Sequence, residues 1–311
     1  MNIFQLLTMF GGLAMFLYGM EVMGNGLKLL GGGKLESILE KLTKNKLMGV
    51  LLGAVVTAVI QSSSATTVMV VGFVNSGIMK LTQSISVMMG ANIGTTMTAW
   101  ILSLSDIQGG SFIANLFKPE TFTPVLAVIG IILIMMAKKD KNKHIGTILI
   151  GFAVLMFGME TMSSSVDDLK QSEQFAQMFI MFSNPILGFI VGAVLTAIIQ
   201  SSSASVGILQ ALSIGGGISY ATAIPIIMGE NIGTCITAIL SAIGASKNAK
   251  RAAMANLYVK FISAVLFMVV FYAINAVVHF AFMDMDINAF YIAVIHTLFN
   301  VVSTIILLPF T

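Results

Sequence analysis

The 311-residue sequence has few charged residues: 16 Lys and Arg and 13 Asp and Glu make up only 9% of the chain. Soluble domains carry about 25% charged residues, so this composition excludes a water-soluble enzyme. The net charge of +3 is too small for a nucleic-acid-binding protein. The single cysteine, Cys235, excludes an internal disulfide and a cysteine-based metal site.

What the sequence does have is apolar residues, at 57% of the chain with a mean hydropathy of +0.97. They occur in long runs rather than in short alternating segments, which favours an all-α polytopic membrane protein over a β-barrel. Each run is close to the ~20 residues that cross the hydrocarbon core. We predict spans at about 3–27, 81–104, 121–137, 145–165, 219–245, 252–278 and 288–310.

Two further apolar segments, 47–79 and 185–217, have a polar cluster in the middle. Each arm has about 14 residues, which gives ~21 Å of helix against a ~30 Å core. Two half-helices that meet at mid-membrane fit better than two full crossings, so we predict a re-entrant helical hairpin in each segment. Broken backbone at that depth is tolerated only inside protein or beside a wet cavity.

The charges lie in short islands. Twelve of the sixteen basic residues fall at 28–46, 138–143 and 247–251, and net-acidic islands fall at 167–173 and 284–286. The positive-inside rule then predicts an N-terminus outside and a C-terminus in the cytoplasm. No basic n-region opens the chain, so a cleaved signal peptide is not predicted.

The sequence repeats itself at an offset of 139 residues, which aligns Gln61 with Gln200 and Asn92 with Asn231. An odd number of crossings per unit would turn the second copy upside down. We therefore predict two inverted repeats, 1–144 and 145–311, each with one re-entrant hairpin and three transmembrane helices; the span at 288–310 is additional in the second. Inverted repeats with discontinuous helices around a midplane site are typical of secondary transporters.

Each hairpin carries a Gln-Ser-Ser-Ser cluster. Two half-helix N-termini offer unpaired N–H groups to an anion, and hydroxyls add further donors. Amide and hydroxyl oxygens suit Na⁺, whose charge would offset the cost of burying an anion. The alternative is that these small polar residues are only helix-packing faces. The clusters are Gln61, Ser62, Ser63, Ser64, Gln200, Ser201, Ser202 and Ser203.

A second polar pair follows the hairpins, Asn92-Ile-Gly-Thr95 and Asn231-Ile-Gly-Thr234. It either supplies ligand oxygens or packs against the hairpins. Glu230 is the lone acid of residues 174–246, which makes it a candidate ion or proton carrier or a residue facing an aqueous vestibule. The only arginine, Arg251, lies in a predicted cytoplasmic loop. An anion would therefore be held by hydroxyls, helix ends and cations.

These paired motifs resemble the type II sodium/phosphate cotransporter family over about residues 5–310, as the membrane core of a bacterial member. The resemblance implies Na⁺-driven symport of inorganic phosphate by alternating access, without a cofactor, transition metal or enzymatic activity. Lys260, inside a predicted span, departs from the family pattern. The implied substrate residues are Ser62, Ser63, Ser64, Thr95, Ser201, Ser202, Ser203 and Thr234. The implied sodium residues are Gln61, Thr66, Asn92, Gln200, Ser205 and Asn231.

Several expectations follow from that resemblance. The partners are phosphate, Na⁺ and a lipid bilayer, with a homodimer as a candidate assembly and no nucleic acid. The location is the bacterial inner membrane. Alternatives are transport of another anion, phosphate export, or a phosphate sensor that does not transport. An intramembrane serine hydrolase needs a base near the serine, but the three histidines lie outside both hairpins.

Overall fold

A computed structural model of the chain describes residues 3–31, 45–106, 119–166, 181–214 and 216–311. Within these residues the protein is helical, and the only β-type pairing among them is an isolated antiparallel bridge between Ser219 and Asp286. Six helices are long and apolar enough to cross a membrane. The prediction of an all-α polytopic membrane protein is confirmed at this level.

We number the described α-helices in chain order. They are α1 Ile3–Gly31, α2 Lys46–Ile60, α3 Ser63–Asn75, α4 Leu81–Ser103, α5 Pro119–Met136, α6 Asp140–Val166, α7 Pro185–Ile199, α8 Ser202–Ser213, α9 Tyr220–Gly233, α10 Cys235–Ser241, α11 Lys247–Val278 and α12 Ala289–Leu307. Short 3₁₀ turns occupy Leu104–Asp106, Ala281–Asp284 and Leu308–Phe310. The helices of spanning length are α1, α4, α6, α11, α12 and the pair α9–α10.

The two predicted hairpins are helix pairs, α2–α3 and α7–α8. An asparagine caps the first helix of each pair: the Asn45 side chain accepts from the Leu47 N–H, and the Asn184 side chain accepts from the N–H groups of Ile186 and Leu187. Helices α2 and α7 have 15 residues each. They are about 22 Å long, which is shorter than the ~30 Å hydrocarbon core.

Helices α1 and α6 are equivalent under the 139-residue offset and pack against each other. Gly12 faces Gly158, and Gly19 faces Gly151, so the residue number rises along one helix as it falls along the other. The two helices are therefore antiparallel. Gly12 is equivalent to Gly151, and Gly19 is equivalent to Gly158. The same glycine–glycine contact therefore occurs twice in this interface.

Glycine also lets each helix pair approach the long helix that follows it. Gly53 of α2 packs on the carbonyl of Val87, and Gly192 of α7 packs on the carbonyl of Ile226. A methyl group at either glycine would overlap that carbonyl oxygen. The two contacts are related by the same 139-residue offset. The repeat in the sequence is therefore also a repeat in how the helices pack.

Apolar side chains cover much of the outer surface. On α11, Val269 is 63% exposed and Val277 is 81% exposed. Such exposure is unfavourable in water and fits a helix surrounded by lipid. The buried faces instead carry many hydroxyls and amides, which is where the candidate site lies.

Three boundaries differ from the predictions. The predicted span 121–137 is the helix α5, which begins two residues earlier, at Pro119, and whose apolar part Thr121–Met136 is shorter than the helices of spanning length. The span 219–245 is interrupted at Thr234, where Gly233 ends α9. The span 252–278 begins earlier, because Ser246 caps the helix by accepting from the Ala249 N–H.

Arg251 therefore lies in the first turns of α11 rather than in a loop, and its side chain is exposed. This arrangement keeps the charge accessible to water. Lys34, Lys41 and Lys44, the acidic island 167–173 and part of the second predicted hairpin at 215 lie outside the described residues.

Candidate substrate and ion site

Each hairpin breaks at its Gln-Ser pair in the same way. Gln61 adopts the left-handed conformation, with φ 59°, and Gln200 does so with φ 60°. The following serines cap the second helices: the Ser62 hydroxyl accepts from the Ala65 N–H at 3.1 Å, and the Ser201 hydroxyl accepts from the Ala204 N–H at 3.2 Å. The prediction of a helix break at these clusters is correct.

The two breaks lie side by side. The Ser64 hydroxyl donates to the backbone carbonyl of Gln200 at 3.3 Å, across 136 residues of sequence. This contact brings the N-termini of α3 and α8 to one place. The first N–H groups of a helix have no partner inside it, and they carry the positive end of the dipole. Their junction is therefore suited to an anion.

A hydroxyl pair joins the two arms of each hairpin next to the break. Thr57 donates to Thr66 at 3.0 Å, and Thr196 donates to Ser205 at 2.8 Å. All four side chains are buried. Thr66 and Ser205 were predicted sodium residues. Their partners Thr57 and Thr196 were not predicted, although an identical threonine at equivalent positions of the two copies is a signal for them.

The two glutamines differ in their surroundings. The Gln61 side chain is 7% exposed, accepts a hydrogen bond from Thr98 at 3.0 Å and donates to the Ala58 carbonyl. The Gln200 side chain is exposed. Thr237, the equivalent of Thr98, has a buried hydroxyl oxygen without a hydrogen-bond partner among the described residues. The duplicated site is thus asymmetric.

The two motifs that begin at Asn92 and Asn231 meet at a place other than the helix breaks. Asn92 of α4 and Asn231 of α9 line one small cavity, although they belong to different copies of the repeat. Asn231 donates to the Ile227 carbonyl at 3.3 Å. Thr95 donates to the Ala91 carbonyl at 3.0 Å, and Thr234 donates to the Asn231 carbonyl at 2.8 Å.

Lys260 lines the same cavity and is only 5% exposed. Its ammonium group donates to the Thr234 hydroxyl at 2.7 Å. The sequence signal was a lysine inside an apolar span. The contact with Thr234 could not be predicted, because it joins the break between α9 and α10 to the middle of α11, 26 residues further along the chain.

Glu230 is 1% exposed, and neither carboxylate oxygen has a hydrogen-bond partner among the described residues. Burial without a partner is costly for a carboxylate, and an ionisable residue inside a membrane span is a functional candidate by default. The structure does not place Glu230 at a vestibule. His296, also 1% exposed, has neither ring nitrogen paired within the same described ranges.

Most of the predicted site residues are therefore inside the protein. Ser62, Ser64 and Ser201 are partly exposed, and Gln200 is exposed. The buried ones are Gln61, Ser63, Thr66, Asn92, Thr95, Ser202, Ser203, Ser205, Glu230, Asn231 and Thr234.

Paired helix breaks buried among spanning helices define a multi-pass membrane protein of the transporter class. The chain belongs to the Na⁺/Pi-cotransporter family, whose sequence model matches residues 15–164 and again 155–291. The predicted family resemblance is confirmed. The two matches cover the two copies of the repeat, as expected if the model describes one unit.

The relatives include an uncharacterized protein and proteins named for phosphate export or transport. The chain is 31% identical to the uncharacterized protein YqeW of Bacillus subtilis over 95% of this chain and 91% of that protein. It is 27% identical to a Salmonella typhimurium protein provisionally named inorganic phosphate export protein YjbB, over 84% of this chain and 46% of YjbB.

A shorter match reaches an animal transporter. The chain is 30% identical to human sodium-dependent phosphate transport protein 2B over 38% of this chain and 17% of that protein. The chain thus spans about half of YjbB and less of the human protein. No solved structure matches the chain.

Proposed function

We propose that the protein couples inward movement of Na⁺ to symport of inorganic phosphate, by alternating access, with both ligands at the paired Gln-Ser-Ser-Ser breaks. The contact between Ser64 and the Gln200 carbonyl carries this proposal, because it joins two helix N-termini inside a membrane protein. The family and the names of its sodium-dependent members support the choice of ligands.

The composition of the site supports an anion held together with cations. A phosphate dianion buried alone would be strongly unfavourable. The described spans contain no arginine apart from Arg251, which is exposed at the start of α11. Serine hydroxyls and helix ends therefore bind the anion, and Na⁺ at amide and hydroxyl oxygens offsets its charge.

The inverted architecture belongs to the same proposal. The antiparallel contact of α1 with α6 supports two inverted repeats, 1–144 and 145–311. The short arms α2–α3 and α7–α8 support re-entrant hairpins that enter from opposite sides. The basic islands support an N-terminus outside and a C-terminus in the cytoplasm, in a bacterial inner membrane.

Transport in sealed vesicles tests the proposal. The purified chain is reconstituted into liposomes, and uptake of labelled phosphate is measured with Na⁺ or choline outside and the voltage clamped by an ionophore. We expect accumulation only with an inward Na⁺ gradient. Equal uptake in choline would remove Na⁺ coupling from the proposal.

Serine variants locate the site. Ser63→Ala and Ser202→Ala remove buried hydroxyls from the two breaks, and each should lower uptake about tenfold if one charge-assisted hydrogen bond is lost. Ser76→Ala, at the exposed far end of α3, is the matched control. Wild-type uptake by both break variants would exclude the breaks from the site.

Phosphate export is the second candidate, and the provisional name of YjbB favours it. Vesicles loaded with labelled phosphate should then release it with choline on both sides, a condition in which a Na⁺ symporter gives no net release. Competition by unlabelled arsenate, sulfate or a dicarboxylate distinguishes other anions. Phosphate binding with no flux in either direction would identify a sensor.

A further inference from the structure

Lys260 is a buried positive charge without an acidic partner. It lies on α11, and its ammonium group donates to the Thr234 hydroxyl at 2.7 Å. The ion pair recorded within the described ranges joins Lys143 to Asp140, and no carboxylate there lies within 4.0 Å of Lys260. A buried unpaired charge is strongly unfavourable, so an anion close to Lys260 would stabilise the ammonium form.

The cavity beside Lys260 is small, and its lining is polar and apolar in about equal parts. Its volume of about 10 Å³ is close to that of one water-sized site. Its polar lining comes from α4, α9, α11 and α12. These residues are Asn92, Asn231, Ser263, Asn300, Ser303 and Thr304.

Oxygen atoms in this number suit a hard monovalent cation, and Asn92 and Asn231 were assigned to sodium on the sequence. The ammonium group already occupies the edge of that cavity. A second positive charge beside it would be repelled, since two like charges at contact distance in a weakly polar interior interact strongly. The Lys260 ammonium is therefore the cation of this cavity.

We propose that the Lys260 ammonium takes the place of one coupling Na⁺ and serves as a fixed counter-charge for the transported anion. The inference rests on the proposed function, because it assigns the charge balance of the anion that we propose binds at the helix breaks. A lysine ammonium has three donors, and one is used by Thr234. The others remain for an anion or for water that bridges to it.

We expect fewer Na⁺ ions per transported phosphate than the same site would need without Lys260. Each cycle needs one Na⁺ fewer, because one positive charge never leaves the protein. Phosphate should also bind measurably in Na⁺-free medium, since part of its charge is already compensated.

Lys260→Gln tests the charge, because glutamine keeps much of the length and adds an oxygen ligand. In clamped vesicles, the ratio of Na⁺ to phosphate is obtained from the gradients at which net flux is zero. We expect this ratio to rise by about one in Lys260→Gln, and phosphate affinity at low Na⁺ to fall about tenfold. Lys260→Arg should keep the wild-type ratio.

Lys250→Gln is the matched control, since it removes the same charge from an exposed position of the same helix. Lys260→Gln with the ratio and affinity of Lys250→Gln would overturn the inference while leaving symport intact. A wild-type protein that moves no phosphate under any gradient would instead overturn the proposed function and this inference together.

Folding is checked by the melting temperature in detergent. Should Lys260→Gln fail to fold, wild-type protein is titrated with inorganic phosphate in choline chloride. Phosphate binding that persists without Na⁺ supports the fixed counter-charge, and binding that is abolished without Na⁺ overturns it.

Discussion

The Thr98 hydroxyl donates to the Gln61 side-chain oxygen at 3.0 Å, whereas Thr237, its equivalent in the second copy, has an unpaired hydroxyl in the described structure. The two copies thus hold chemically identical residues in different environments. Thr98→Val leaves a buried amide oxygen unpaired, so we expect a loss of about 1–3 kcal/mol. Thr237→Val removes an unpaired hydroxyl and should leave stability unchanged or slightly higher.

The melting temperature of the protein in detergent measures both substitutions. The two variants are each other's control, because they make the same chemical change at equivalent positions. Equal effects would contradict the asymmetry between Gln61 and Gln200.

The contact between the hairpin breaks can be tested by cross-linking. In a Cys235→Ala background, which removes the single cysteine, Ser64→Cys with Ser201→Cys should be bridged by Hg²⁺ or a short bis-thiol reagent. A protease site inserted between the exposed Lys138 and Lys139 separates the halves, which then stay joined on a gel.

The control pair for that experiment is Ser76→Cys with Ser201→Cys. Ser76 lies at the other end of α3, about 18 Å from Ser64 along the helix. Cross-linking that is no better for position 64 than for position 76 would argue against adjacent breaks.

The antiparallel packing of α1 on α6 depends on glycine. A Cβ at Gly12 would lie 2.8 Å from the Met162 backbone nitrogen, whereas nothing lies within 4 Å of one at Gly11. Gly12→Ala should therefore force the helices apart and lower the melting temperature. Gly11→Ala should raise helix stability by up to about 1 kcal/mol. If both alanines are tolerated equally, the close approach of the two helices is wrong.

The buried carboxylate of Glu230 is expected to act as a cation ligand. Glu230→Gln keeps the shape and removes the charge, so the Na⁺ concentration for half-maximal phosphate uptake should rise about tenfold. The protein should remain at least as stable, because a neutral amide costs less to bury than an unpaired carboxylate. Glu160→Gln, at an exposed position, is the control. An unchanged Na⁺ dependence would leave Glu230 without a role in ion binding.

The helix breaks could be located from the sequence alone. Each break needs a local change of backbone conformation, and the Gln-Ser pair marks that change in both copies. Gln61 and Gln200 are flanked by nearly identical residues, and both adopt the same left-handed conformation. The sequence could not predict that Gln61 is buried and Gln200 exposed. The difference accompanies the hydrogen bond from Thr98 to Gln61, since the equivalent Thr237 has no partner among the described residues.

Long-range contacts were also missed. Lys260 meets Thr234 across 26 residues, and Ser64 meets the Gln200 carbonyl across 136. Neither separation along the sequence follows from a helical period, so neither contact could be predicted from a residue pattern. The predicted span at 121–137 agrees with the helix Pro119–Met136 to within two residues at each end, because the charged Lys138 and Lys139 mark its limit in the sequence.

The glycine contacts between α1 and α6 have a consequence for how such a chain can arise. Gly12 contacts Gly158, and their equivalents Gly151 and Gly19 make the same contact. Each helix therefore presents a surface that is complementary to its own copy. This is the isologous arrangement of a two-fold symmetric dimer, here within one polypeptide. A gene encoding a single unit already specifies both halves of the interface, so joining two copies in tandem requires no new recognition surface.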